Sequence, residues 1–241
     1  MRHVRLLSAL ALAHAVATAS PAFAGACARP QIPTRPLTTD GAALVAGGGV
    51  VLATEDATKP PRWRFTNGAN KVAAKPRAIG AGLVVLLAPP KGDWTLADDK
   101  GKPVLKIKHA AAEPKPLEAP KVAEVVFTST TGRRGTSTNV TASISGEAPA
   151  GAVALVAFDD KGGVRSFIQV EGRAADPATK LAAYAIYFSG SCTVMPNGTV
   201  PTGAGDKIGL AWLDASGRLS PKTSITVKAA PLPAGGIGPG E

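Results

Sequence analysis

The feature that most constrains this chain is a repeated alternation of short apolar, β-branched or aromatic runs with Gly, Pro and Asn-Gly breaks. No stretch sustains an apolar period of 3.6 residues with capping residues at its ends, so the pattern predicts strands rather than helices. In the second half the runs are VAEVVFTS, TNVTASIS, AVALVAF, VRSFIQV, LAAYAIYFS, KIGLAWL and TSITVKA. Seven short strands separated by turn signals point to a sandwich of antiparallel sheets. In the first half ALVA, VVLA, WRFT, KVAA, LVVLLA, WTLA and VLKIK read the same way. The expected fold class is all-β.

Between the two sets of runs lies HAAAEPKPLEAP, residues 109–120, whose three prolines and alanine-rich filler exclude regular sheet and suggest a stiff, extended spacer. A second such stretch, AAPLPAGGIGPGE, closes the chain. The expected organisation is a leader over residues 1–24, an N-terminal β-sandwich module over 25–108, a Pro/Ala-rich linker over 109–120, a C-terminal sandwich module over 121–229 and a disordered tail over 230–241.

The leader is read from Arg2 and Arg5, the apolar stretch LLSALALAHAVATA and the small-x-small site Ala22-Phe23-Ala24. Its apolar stretch is shorter than the roughly 20 residues of a membrane span, and no later stretch is longer, so the processed chain is expected to be exported without a transmembrane segment. Two cysteines, Cys27 and Cys192, survive processing. An even count in an exported chain favours a disulfide between them. The rival reading makes Cys27 a lipidated N-terminus with AGAC as the cleavage site, which would anchor the protein to an outer membrane. Against it, Ala24 stands where lipoprotein leaders usually carry a larger aliphatic residue. The expected location is the periplasm, the cell surface or the medium.

A further pattern joins the two halves. WTLADDKGKPVLKIK near the end of the first and IGLAWLDASGRLSPKTSITVK at the end of the second share one plan: apolar strand, Asp, short Gly turn, apolar strand. VALVAFDDKGGVRSF is a third copy. In each, Asp caps the turn through backbone hydrogen bonds and Gly supplies positive φ. This resembles the closing hairpin of bacterial immunoglobulin-like and fibronectin type III-like modules. The resemblance implies Ig-like sandwich architecture and carries no activity.

Composition removes several chemistries. After the leader, His109 is the one histidine, and it stands at the start of the linker, leaving a His-assisted Ser or Cys nucleophile without a base. One His and two distant Cys do not make a thiolate or imidazole metal site. Asp98-Asp99 and Asp159-Asp160 invite a reading as calcium ligands or as a hydrolase acid and base. Each pair runs at once into Lys and Gly, however, and adjacent strand residues face opposite sides, so solvated turns are the expected role. No cofactor, metal or catalytic residue is implied.

What remains is charge. The whole chain has 27 Lys and Arg against 17 Asp and Glu, and the excess concentrates in the first half. There KPPRWRFTNGANKVAAKPR, residues 59–77, carries six cations and no acid. If WRFT is a strand, Trp63 and Phe65 share one face and Arg62 and Arg64 the other. Asn67-Gly68 is a strong hairpin signal. With few aromatics available, the rings are expected in the core and the arginines in water. Arg62, Arg64, Lys71, Lys75 and Arg77 could converge across the hairpin as a polyanion-binding face. The partners expected are an envelope protein or an acidic polymer: acidic polysaccharide, lipopolysaccharide phosphate or released nucleic acid. Nucleic acid is the least favoured of these, because its binders expose stacking aromatics. The expected function is an exported, non-catalytic interaction or structural module, with polyanion binding and a hydrolase of unfamiliar type as alternatives.

Overall fold

The computed structural model describes residues 34–110, 115–132, 135–170, 175–188 and 203–230, without the side chains of 129–132, 135–139 and 185–188. The leader, Cys27, Cys192 and residues 231–241 lie outside the described residues. Among the described residues every regular element is a strand, and no helix is long and apolar enough to cross a membrane.

The first half contributes β1 (Arg35–Pro36), β2 (Ala42–Leu44), β3 (Gly49–Ala53), β4 (Arg64–Asn67), β5 (Asn70–Ala73), β6 (Pro76–Gly80), β7 (Leu83–Leu87), β8 (Gly92–Ala97) and β9 (Pro103–His109). They form a four-stranded sheet, β1-β3-β7-β6, and a five-stranded sheet, β2-β9-β8-β4-β5, in which only the β2–β9 pair is parallel. Lettered along the chain, these are the A-B-E-D and G-F-C-C′ orders of an immunoglobulin sandwich.

The second half contributes β10 (Val122–Gly132), β11 (Gly135–Ser145), β12 (Ala152–Phe158), β13 (Val164–Gln169), β14 (Leu181–Phe188), β15 (Lys207–Asp214), β16 (Thr223–Thr226) and β17 (Lys228–Ala229). Its sheets run β14-β11-β10-β17 and β13-β12-β15-β16, again with one parallel pair, β10–β17. The chain crosses from one sheet to the other between β11 and β12, between β13 and β14, between β14 and β15, and between β16 and β17.

Burial explains why some runs alternate and others do not. In β9 the sequence PVLKIKH turns Leu105 and Ile107 inward and Lys106 and Lys108 outward, as one wet face requires. By contrast β3, β7, β12 and β15 are apolar at almost every position. These four strands sit in sheets that are covered on both sides. Val50, Leu52, Val84 and Leu86 point into the first sandwich, against Phe65, Trp94, Leu96 and Ile107. Their neighbours Val51, Ala53, Leu83 and Val85 point the other way, into one cluster with Ala154, Val156, Phe158, Ala211 and Leu213 of the second half. Leu155, Ala157, Leu210 and Trp212 then face the second sandwich, where Trp212 meets Tyr184 edge-on at 5.7 Å. The molecule is a stack of four sheets with three apolar layers between them.

The joint is also hydrogen-bonded. Gly49 donates its amide to the Ser216 carbonyl at 2.8 Å, Thr38 its hydroxyl to the Ala215 carbonyl at 2.8 Å, and Arg77 its guanidinium to the Gly217 carbonyl at 3.1 Å. All three acceptors lie in the D-x-x-G turn after β15. That turn is built as the sequence predicts. The Asp214 carboxylate accepts the amides of Ser216 and Arg218, both at 2.9 Å, and Gly217 adopts φ 79°. Asp98 accepts from Lys100 and Lys102 with Gly101 at φ 83°, and Asp159 accepts from Gly163 with Gly162 at φ 81°.

Every run named from the sequence coincides with a strand. The run TSITVKA divides into β16 and β17, which belong to different sheets, and the strands without a sequence signal are β1 and β6. Proline occupies β1 and opens β6, and both are edge strands, where a missing amide costs no ladder bond. His109 closes β9, with its Nδ1 2.6 Å from the Pro89 carbonyl, and so belongs to the first sandwich instead of opening the spacer. Of that spacer, 111–114 lie outside the described residues and 115–120 are irregular, with Leu117 packed against the second core.

Candidate functional site: a basic sheet face and its cleft

Strands β4 and β5 pair as Phe65 with Val72, Thr66 with Lys71 and Asn67 with Asn70, closing through Gly68-Ala69 with Gly68 at φ 55°. Trp63 is 8% exposed and Phe65 fully buried, while Arg62 is exposed and Arg64 half-buried. The aromatics face the core and the arginines the outside, as alternation predicts.

The outward row of this sheet runs in register across four strands. Lys106 on β9 is opposite Thr95 on β8, Thr95 is opposite Thr66 on β4, and Thr66 is opposite Lys71 on β5. At the usual strand spacing the two lysines stand about 14 Å apart, with two threonines between them. Lys108 lies one pair along, opposite Asp93, and Arg64 one pair the other way. Among the outward positions of these strands Asp93 is the one carboxylate. Asp40 lies at the β2 edge, where it accepts the Lys106 amide at 2.6 Å.

The five cations proposed from the sequence divide. Arg62, Arg64 and Lys71 share this face. Lys75 is exposed where the chain leaves the sheet: Ala74 still donates to the Trp63 carbonyl at 3.1 Å, but Lys75 already accepts from Leu87 of the neighbouring sheet at 2.9 Å. Arg77 lies beyond that crossing, on β6, and its guanidinium is committed to Gly217. Lys106 and Lys108 belong to the face and were absent from the sequence-based set. The period of two in VLKIK announces that they point outward, but nothing local announces that β9 is two strands from β4.

Beside the end of the β4–β5 pair where the chain leaves for β6 lies an open cleft of about 610 Å³. Pro60, Pro61 and Pro76 wall it, and Arg62, Arg64 and Lys71 supply its charge. Arg64 donates one nitrogen to the Asp99 carbonyl at 3.3 Å, a long contact that leaves the rest of its fork free. Arg62 and Lys71 have no ion-pair partner among the described residues.

The acidic pairs are occupied by their own turns. Asp98 is consumed by backbone amides. Asp159 is buried, a difference from the solvated turn its Lys-Gly sequel predicts, because Arg165 reaches back and donates to it at 2.6 Å. Burial raises the Asp159 carboxyl, but the Gly163 amide and the Arg165 guanidinium together outweigh it and hold the group below the ordinary carboxylate value. Neither pair presents free oxygens converging on one point.

No family model matches this sequence, and no curated protein does. Among solved structures the chain is similar to the BSP domain of a biofilm-associated protein, at 12% identity over 83% of this chain and 30% of that one, with a TM-score of 0.26. It is similar to fibronectin(III)-like modules of Clostridium thermocellum CbhA at 13% identity over 81% and 94%, with a TM-score of 0.28. A tetra-tandem repeat in the extending region of a large adhesion protein gives 17% identity over 78% and 49%, with a TM-score of 0.20. The chain thus spans less than a third of the first of these and about half of the third. The immunoglobulin-type sheet order rests on the strand pairing itself.

Proposed function

We propose that this protein is an exported, non-catalytic interaction module of a bacterial envelope, in which a docked pair of β-sandwiches presents a basic sheet face to an acidic polymer. One observation carries the reading. A single exposed sheet face collects Arg62, Arg64, Lys71, Lys106 and Lys108 against one outward carboxylate, Asp93. Such a surface concentrates anionic ligands and binds them with marked salt dependence. The aromatics of the sheet, Trp63, Phe65 and Trp94, are in the core, so the face has no stacking platform of the kind single-stranded nucleic acid requires.

The test is retention of the whole protein on immobilised polygalacturonate or heparin as salt rises. Lys106→Ser/Lys108→Ser and Arg62→Ser/Lys71→Ser should each elute earlier than the parent, whereas the same number of substitutions at Lys207 and Lys222, on the other sandwich, should not. Equal shifts in all three variants would reduce the effect to net charge and defeat the reading.

A structural role has its own support in the ten apolar side chains, five from each half, that bury against each other between the sandwiches. That joint makes the pair suited to act as a stiff spacer. Absence of any polymer binding would leave this second reading standing.

A further inference from the structure

The cleft beside the basic row has a chemistry of its own. Three prolines, Trp63 and residues 72–74 line it, and its cations are two arginines and a lysine. Arg62 and Arg64 stand two residues apart on the outward side of one extended segment, which spaces their Cα atoms by about 7 Å. Guanidinium forks are matched to planar carboxylates, which they take by two parallel hydrogen bonds. Flat, rigid proline walls suit the face of a saturated ring and lose no side-chain entropy on contact. The cleft volume lies within the range of small-ligand sites.

We propose that this cleft is a subsite for one uronic-acid unit of a linear acidic polysaccharide: the sugar ring lies against Pro60, Pro61 and Pro76, and its carboxylate is held by Arg62 and Arg64. Lys71 sits at the mouth, and the row through Thr66 and Thr95 to Lys106 offers hydroxyls and a cation to the units that follow. This rests on the polyanion reading above and sharpens it. A face acting by field alone binds in proportion to polymer length and charge, whereas a subsite also recognises a short oligomer by its carboxylate.

The experiment is calorimetric titration of the whole protein with four probes: long polygalacturonate, tri-galacturonate, the methyl ester of tri-galacturonate, and a trideoxynucleotide. Tri-galacturonate should bind, and its ester at least about ten-fold more weakly, since esterification removes the charge-assisted pairing. Arg62→Ser should lose the trimer, and Arg62→Lys, which keeps the charge but not the fork, should also weaken it several-fold, an effect a purely electrostatic face does not give. Lys106→Ser/Lys108→Ser should weaken the long polymer, whereas Lys207→Ser/Lys222→Ser, on the other sandwich, should leave trimer affinity within about two-fold. Unchanged thermal midpoints would verify that these exposed substitutions leave the fold intact. Binding of the long polymer without the trimer, or trimer binding indifferent to Arg62, would overturn the subsite and spare the basic face. Equal binding of the trideoxynucleotide, with the same dependence on Arg62, would overturn the uronate assignment. No binding of the long polymer would overturn both.

Discussion

The Gly49 amide donates to the Ser216 carbonyl at 2.8 Å, so a turn of the second sandwich is stitched to the first residue of β3 in the first. The same turn accepts from Thr38 and Arg77, and β15, which leads into it, shares a buried cluster with β3 and β7. Two sandwiches joined in this way should unfold together.

Truncating the joint should therefore destabilise both. Leu83→Ala, in the shared cluster, is expected to cost about 2–5 kcal/mol by lost burial and the cavity left behind. Denaturant unfolding followed through Trp94, and separately through Trp212 in single-tryptophan backgrounds, should give one midpoint that moves for both reporters. Movement of the Trp94 midpoint alone would mean the sandwiches fold independently.

Covalent continuity between the sandwiches should be dispensable once they have folded. With a protease site introduced into residues 111–114, cleavage is expected to leave the two fragments co-eluting on gel filtration, under reducing conditions as well as oxidising ones. Separation after cleavage would mean the apolar joint is too weak to hold the halves.

On the β4 hairpin the two faces should respond oppositely. Phe65→Ala is expected to cost about 3–5 kcal/mol, because the ring is fully buried. Arg62→Ser, on the exposed side, should stay within about half a kcal/mol. Thermal midpoints of the two variants check the assignment, and a destabilised Arg62→Ser beside a stable Phe65→Ala would reverse it.

Asp159 should contribute an acid-labile share of stability. Its folded carboxyl titrates below the ordinary value, so the stabilisation is present above the unfolded carboxylate pKa and is lost as pH falls through the lower folded one. Asp159→Asn should be less stable than the parent at neutral pH, and the gap should close as pH falls below the ordinary carboxylate range. Denaturant midpoints across pH 2–7 measure it, and a gap independent of pH would exclude the carboxylate as its cause.

What the amino-acid order determined by itself is local. Period-two alternation puts Phe65 in and Arg64 out, and Lys106 out beside Ile107. Asp-x-x-Gly spacing builds the same turn at Asp98, Asp159 and Asp214. Each of these depends on contacts within a few residues, where the pleat and the turn leave few alternatives. Long apolar runs such as VALVAF and GLAWL also carried the information that some strands are covered on both sides, though not by what. Tertiary structure alone decided the rest. Strand order, not strand identity, brings Lys106 of β9 to the row of Lys71 and sends Arg77 across to Gly217. It also seats the outer faces of β3 and β7 on β12 and β15, turning two expected modules on a spacer into one four-layered stack. The physical reason is that sheet edges and faces choose partners by register and complementary apolar surface over separations of up to 177 residues, as between Thr38 and Ala215, which no local period encodes.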